Sequence, residues 1–200
     1  MENYYYEDTL EAGIDECSQG ALIGPVFIGC VILPQEDEND DPLWEQIRDS
    51  KKVSNKKRFI VEEYIKTIAI DYKVVRGSVE DIDKYNILET KIRTMHKALD
   101  QITKPEHILV DGDRFHVYMD ESGPYSHTLI KQGDNKYKSI AAASILAKCE
   151  QVRYMEELAK KYPNYGLEKN HGYGTKQHID AIRQYGYTPD HRKSFKIKSL

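Results

Sequence analysis

Two apolar segments lie within the first 33 residues, LEAGIDE from Leu10 and PVFIGCVIL from Pro25, separated by Cys17-Ser18-Gln19-Gly20 and Gly24-Pro25. Turn-forming residues between two such runs predict strand, turn, strand. After this hairpin the pattern alternates. Ser54 precedes Phe59, Ile60, Tyr64, Ile65 and Ile68 at helical spacing, so it reads as the N-cap of a helix over 55–69. DYKVVRGSV at 71–79 alternates like a strand, and Ile87, Leu88, Ile92, Met95 and Leu99 then mark one face of a second helix. A short buried strand at 107–110 ends in Asp111-Gly112, and another at 127–131 leads through Gly133-Asp134 into a helix over 140–161. A hairpin followed by alternating strands and helices predicts an α/β fold with a mixed sheet. The last 35 residues are rich in Gly, Tyr and His, with a short helix over 176–185. The chain is thus read as one unit, residues 1–161 carrying the sheet and 162–200 a helical and loop extension of it.

The composition, 40% hydrophobic and 31% charged with a formal net charge of -4, is that of a globular domain. The longest apolar stretch, 21–33, contains a proline and falls short of the roughly 20 residues a membrane helix needs. The acidic amino terminus does not resemble a signal peptide, so a cytoplasmic protein without a membrane partner is expected. Cys17, Cys30 and Cys149 form no C-x-x-C pattern and are expected to be reduced, buried thiols. No Walker loop, dinucleotide fingerprint or zinc-ligand histidine spacing is present, which argues against those chemistries.

Charge is unevenly spread. Residues 1–50 hold 13 acids and one base, Arg48, leaving the other 150 residues with 28 bases against 20 acids. The carboxyl-terminal stretch carries Arg192, Lys193, Lys196 and Lys198 without an acid, which suits either solvation or phosphate.

Asp15 and Glu16 close the first apolar segment and Asp111 closes a later one. Strand ends are where open α/β sheets place their sites, and three clustered carboxylates repel unless they hold a cation such as Mg²⁺ or Mn²⁺. Successive strand side chains point to opposite faces, so Asp15 and Glu16 share a site only where the strand stops or bends. On spacing alone, ordinary turn and strand-end acids remain the alternative.

Six ordered blocks decide between these. GIDECSQGALIGPVFIGCVIL, DSKKVSNKKR, ILVDG, GDNKYKSIAAASILAK, YPNYGLEKNHGYGTKQHIDAIRQYGY and TPDHRKSF together resemble the ribonuclease HII family, the type 2 ribonucleases H, over nearly the whole chain. The resemblance implies an RNase H-like fold, a mixed five-stranded sheet flanked by helices with a small helical carboxyl-terminal region. It implies a divalent-metal-dependent endoribonuclease acting, as a monomer, on RNA–DNA hybrids and 5′ of ribonucleotides embedded in duplex DNA, leaving 5′-phosphate and 3′-hydroxyl ends. Asp15, Glu16 and Asp111 would be catalytic and hold Mg²⁺ or Mn²⁺. Ser18, Gln19, Gly20, Lys51, Lys148 and Tyr173 would contact substrate, Tyr173 against the sugar and the lysines at phosphates.

Two departures from the family pattern stand out. Val152 occupies the place where the long helix is expected to carry a fourth carboxylate, and Glu156, one turn on, is the candidate substitute. Gln19 stands where the family has arginine and cannot supply its charge or forked donors. The rival expectations are therefore a catalytically weak or inactive hybrid-binding homologue, and a structure-specific DNA nuclease on the same fold.

Overall fold

The computed structural model describes residues 1–37, 40–48 and 54–197. Strands β1 (Glu11–Cys17) and β2 (Val26–Ile32) pair antiparallel, with Ile14 opposite Cys30 and Asp15 opposite Gly29. β2 is buried throughout and β1 as far as Asp15, which is why both read as near-continuous apolar runs. Helix α1 (Asn55–Ile68) follows, its first turn capped by Ser54 Oγ accepting the Lys57 amide. β3 (Asp71–Gly77) then pairs antiparallel with β2 at the sheet edge, where its alternating, partly exposed pattern belongs. After α2 (Val79–Tyr85) and α3 (Ile87–Leu99) comes β4 (His107–Asp111), parallel to β1. A minimal hairpin of β5 (Met119–Asp120) and β6 (Gly123–Pro124) precedes β7 (Ser126–Ile130), parallel to β4. The sheet order is β3-β2-β1-β4-β7: five strands, mixed, with helices on both faces.

Ile14, Ile28 and Val110 pack with Met95 and Leu99 of α3 on one face. On the other, α1 and α4 (Lys138–Lys161) cover Val31 through Val61, Ile65, Ala142 and Ile145. α4 lies against the strands because two glycines leave room for its backbone. A Cβ at Gly13 would overlap the Ser139–Ile140 peptide, and one at Gly29 the Ala143 carbonyl. The SIAAAS stretch supplies the small side chains that this approach needs.

α5 (Leu167–Asn170) and α6 (Lys176–Tyr185) lie in the carboxyl-terminal segment, where Tyr165, Leu167, Ala181 and Ile182 pack on Ile23, Met155 and Leu158. Isolated bridges tie the loop after β1 to this segment, Ala21 with Tyr173 and Ile23 with His191. Among the described residues no helix is long and apolar enough to cross a membrane.

The expected strand over 71–79 ends at Gly77, because Ser78 Oγ accepts the Asp81 amide and caps α2 instead. Asn86, at φ +70°, then separates α2 from α3 and caps the latter through the Glu89 amide.

Candidate active site

β1 and β4 run in parallel with Ile14 opposite Val110, so their carboxyl ends bring up Asp15, Glu16 and Asp111 side by side. Asp15 is buried at 5% exposure and points to the α4 face, where the Ser144 hydroxyl donates to it. Glu16, next in the strand, leaves on the opposite face, where Lys91 of α3 meets it with Nζ 3.4 Å from Oε2. The strand ends here, as Ser18 turns at φ +72° and its carbonyl accepts the Ala21 amide.

Asp111 Oδ1 accepts the Gly133 amide at 2.6 Å, which draws the turn after β7 over the end of β4. That turn brings in an acid that sequence reasoning passed over. Asp134, only 4% exposed, lines the same cavity as Asp15, Glu16 and Asp111. The Gly133-Asp134 pair reads as a turn in sequence, and its chemistry shows only once the turn is folded back onto β4. The available signal was an acid placed directly before a buried, alanine-rich helix.

The cavity, about 210 Å³, is therefore walled by four carboxylates, with Ser144 and Lys148 of α4 on one side and Tyr173 and the Ser18-Gln19-Gly20 turn on another. Lys51 lies outside the described residues. Val152 is buried on α4 and Glu156 is exposed there, and neither lines the cavity. The expectation of a missing fourth carboxylate is thus corrected. Asp134 supplies a fourth acid from a different element, which removes the ground for Glu156 as a substitute and for a homologue weakened by that loss. Cys30 and Cys149 are buried as expected, but Cys17 is half-buried and lines the cavity.

Burial, then the negative charges of Glu16 and Asp111, push the Asp15 carboxyl well above the usual range. Burial also raises Glu16; the Lys91 ammonium opposes that rise and Asp111 adds to it. Hard oxygen donors crowded in this way suit Mg²⁺ or Mn²⁺. Glu16 lines the cavity while its buried Oε2, 3.4 Å from Lys91 Nζ, makes no hydrogen bond, so the protein's own donors leave this carboxylate incompletely satisfied and with capacity for such an ion. Among the described residues no three acids, histidines or cysteines are already drawn in tightly enough to enclose one.

The rim is built differently. Lys148 Nζ donates to Gln151 Oε1 and stands 5.7 Å from the centroid of the Tyr173 ring. A Cβ at Gly20 would lie 3.8 Å from Tyr173 Cε1, ordinary van der Waals contact, so the turn lies close beside the ring. Arg192, 1% exposed, holds this turn from beneath, its guanidinium donating to the carbonyls of Gln19, Gly24 and Pro25 at 2.8–3.0 Å. Tyr173 is fixed through its carbonyl, which accepts from His178 Nδ1. This leaves His178 Nε2 as an acceptor facing His191 Nε2 at 3.2 Å, while His191 Nδ1 accepts the Thr188 amide. Both rings are therefore neutral, and each tautomer is set by its neighbour.

The chain is similar to known proteins in sequence and in fold. A family model described as Ribonuclease HII matches residues 12–198. A Ribonuclease HII of Parabacteroides distasonis is 46% identical over 195 residues, covering 97% of this chain and 94% of that protein. One from Bacteroides thetaiotaomicron is 43% identical, covering 97% and 93%. Among solved structures, the ribonuclease H2 of Pyrococcus horikoshii superposes with a TM-score of 0.74 at 26% identity, covering 93% of each chain. The RNase HII in a PCNA complex from Archaeoglobus fulgidus gives 0.77 at 26% identity, covering 94% of this chain and 96% of that one. With its five-stranded mixed sheet and the carboxylates gathered at the ends of β1 and β4, the chain belongs to the ribonuclease HII family and is a ribonuclease H-type endoribonuclease.

Proposed function

We propose that this enzyme hydrolyses the phosphodiester bond 5′ of a ribonucleotide, in RNA–DNA hybrids and at single ribonucleotides in duplex DNA, with Mg²⁺ or Mn²⁺ as cofactor. The observation that carries the reading is the convergence of Asp15, Glu16, Asp111 and Asp134 on one cavity that Tyr173 also lines. Asp15, Glu16, Asp111 and Asp134 are the groups that would hold a divalent ion, which would supply activation of the attacking water and stabilisation of the leaving oxygen. The bond formed is from water oxygen to phosphorus. The bond broken is from phosphorus to the 3′ oxygen, which takes up a proton, giving 5′-phosphate and 3′-hydroxyl ends. Lys148 is placed for the scissile strand's phosphate, and the Ser18-Gln19-Gly20 turn presents backbone to the duplex. The Tyr173 ring, 37% exposed, offers a face to the sugar, where a 2′-hydroxyl distinguishes ribose from deoxyribose.

The test is cleavage of three duplexes, one with a single ribonucleotide, one a long hybrid and one all DNA, with Mg²⁺, Mn²⁺ or chelator. Metal-dependent cutting 5′ of the ribose is expected. Asp111→Asn and Asp134→Asn should each lower the rate about 10³-fold, the scale of several kcal/mol of charge stabilisation, while melting no lower than the native protein. Equal cutting of the all-DNA duplex would replace this reading with that of a structure-specific DNA nuclease. Full activity of Asp134→Asn would remove Asp134 from the machinery.

A further inference from the structure

Lys91 is a lysine out of place. It sits on α3 at 7% exposure, and its ammonium reaches Glu16 from behind the strand without lining the cavity. A duplex cannot touch it, so unlike Lys148 it has no phosphate to meet. Burying an ammonium is costly unless a charge compensates it, and here that charge is a carboxylate already crowded by Asp15 and Asp111. The contact takes one oxygen of Glu16 and draws the side chain toward α3, while Asp15 is held toward α4 by Ser144. The two adjacent acids of β1 are in this way pulled apart across the end of the sheet.

We propose that Lys91 is a built-in counter-cation of the carboxylate cavity, and that a divalent ion entering it competes with the Lys91 ammonium for Glu16. The proposal rests on the reading that these carboxylates hold a divalent ion. Two effects act in the same direction. A fixed positive charge near the cavity repels an incoming cation, and the ion pair must loosen before Glu16 can turn its second oxygen inward. Lys91 therefore weakens metal binding, while keeping the cavity compact in the substrate-free protein by offsetting part of the repulsion among its acids.

The experiment is titration of the full-length, substrate-free protein with Mn²⁺, counting the free ion by electron paramagnetic resonance. Lys91→Met and Lys91→Gln should bind Mn²⁺ about tenfold more tightly than the native protein, and Lys91→Arg, which keeps the charge, within about twofold of it. Asp111→Asn, measured alongside, should bind more weakly. Agreement between the apolar Met and the polar Gln variant separates the charge from any packing defect, and a merely structural lysine would shift urea unfolding without tightening Mn²⁺. If Asp111→Asn weakens binding while both neutral variants stay at or below the native affinity, the role of Lys91 is overturned and the metal reading stands. If native binding is indifferent to Asp111→Asn, the metal reading falls and the proposal with it.

Discussion

The centre and the rim of the cavity solve opposite problems within a few residues of each other. At the centre, acids of like charge are forced together by strand ends and a tight turn, with Asp15 driven above its ordinary pKa by burial and by its neighbours. At the rim, Arg192 meets three carbonyls, and the chain from Thr188 through His191 and His178 to Tyr173 is neutral with its donors and acceptors matched. The centre is held by the close fit of strands to helix with a few polar contacts at Asp15, Glu16 and Asp111, and the rim by a continuous chain of hydrogen bonds. Electrostatic strain survives at the centre because the strands and α4 that carry it fit backbone to backbone.

The sharpest way to break that distinction is to attack the fit. Gly29→Ala places a methyl group on the Ala143 carbonyl of α4, where no flexible side chain can give way. We expect a loss of about 3 kcal/mol or more, equivalent to roughly 10 °C in melting temperature, measured by calorimetry. Cleavage should fall with it, because the strand that pairs with Asp15 and the helix that carries Ser144 and Lys148 would separate. An unchanged melting temperature would show that α4 is held by its side chains rather than by this contact.

The same contrast explains what could be read from the sequence. The framework was legible, since the long helix expected over 140–161 runs from Lys138 to Lys161 and the strand expected over 107–110 from His107 to Asp111. Periodicity reports these elements because burial enforces it. The apolar runs placed Asp15, Glu16 and Asp111 at strand ends, but spacing alone left them as ordinary turn acids and only the family resemblance singled them out. Asp134 was not legible, because its partner lies on β4 and only the Asp111–Gly133 hydrogen bond brings the turn there. Lys91 was hidden by the same kind of distance, as it sits on a helical face that periodicity alone assigns to the core. Nor did the His178–His191 pair show in the sequence, since it joins α6 to the loop that follows it.

Acid separates the two regions by sign. Burial, and then His178, lowers His191 to about 4, so the ring is neutral when folded and its stabilising contribution is complete above its ordinary pKa of 6.5. That contribution is lost as pH falls from 6.5 to about 4, by at most about 3 kcal/mol. Asp15 runs the other way. Its raised pKa means that protonation is easier folded than unfolded, so without metal its contribution is present at low pH and lost as pH rises through the folded value. Urea unfolding of the metal-free protein between pH 4 and 8 should therefore show a shallower acid-side loss in His191→Asn than in the native protein. Asp15→Asn should gain most, relative to native, at the alkaline end. Parallel curves for all three proteins would mean that neither group titrates differently on folding.

The smallest effect sharpens the comparison at one residue. Gln19 stands exposed at the rim with its carbonyl already fixed by Arg192, so its side chain can change without disturbing the turn. Gln19→Arg adds one positive charge and a forked donor where the duplex backbone is expected to pass. One more phosphate contact should tighten duplex binding several-fold near 0.1 M salt, about 1 kcal/mol, and steepen the dependence of log affinity on log salt by about one unit. Because Gln19 belongs to the rim, the rate at saturating substrate should stay within about twofold of native while KM falls. A change in that rate with no change in salt slope would place Gln19 among the groups that act on the reacting phosphate, as part of the centre rather than of the rim.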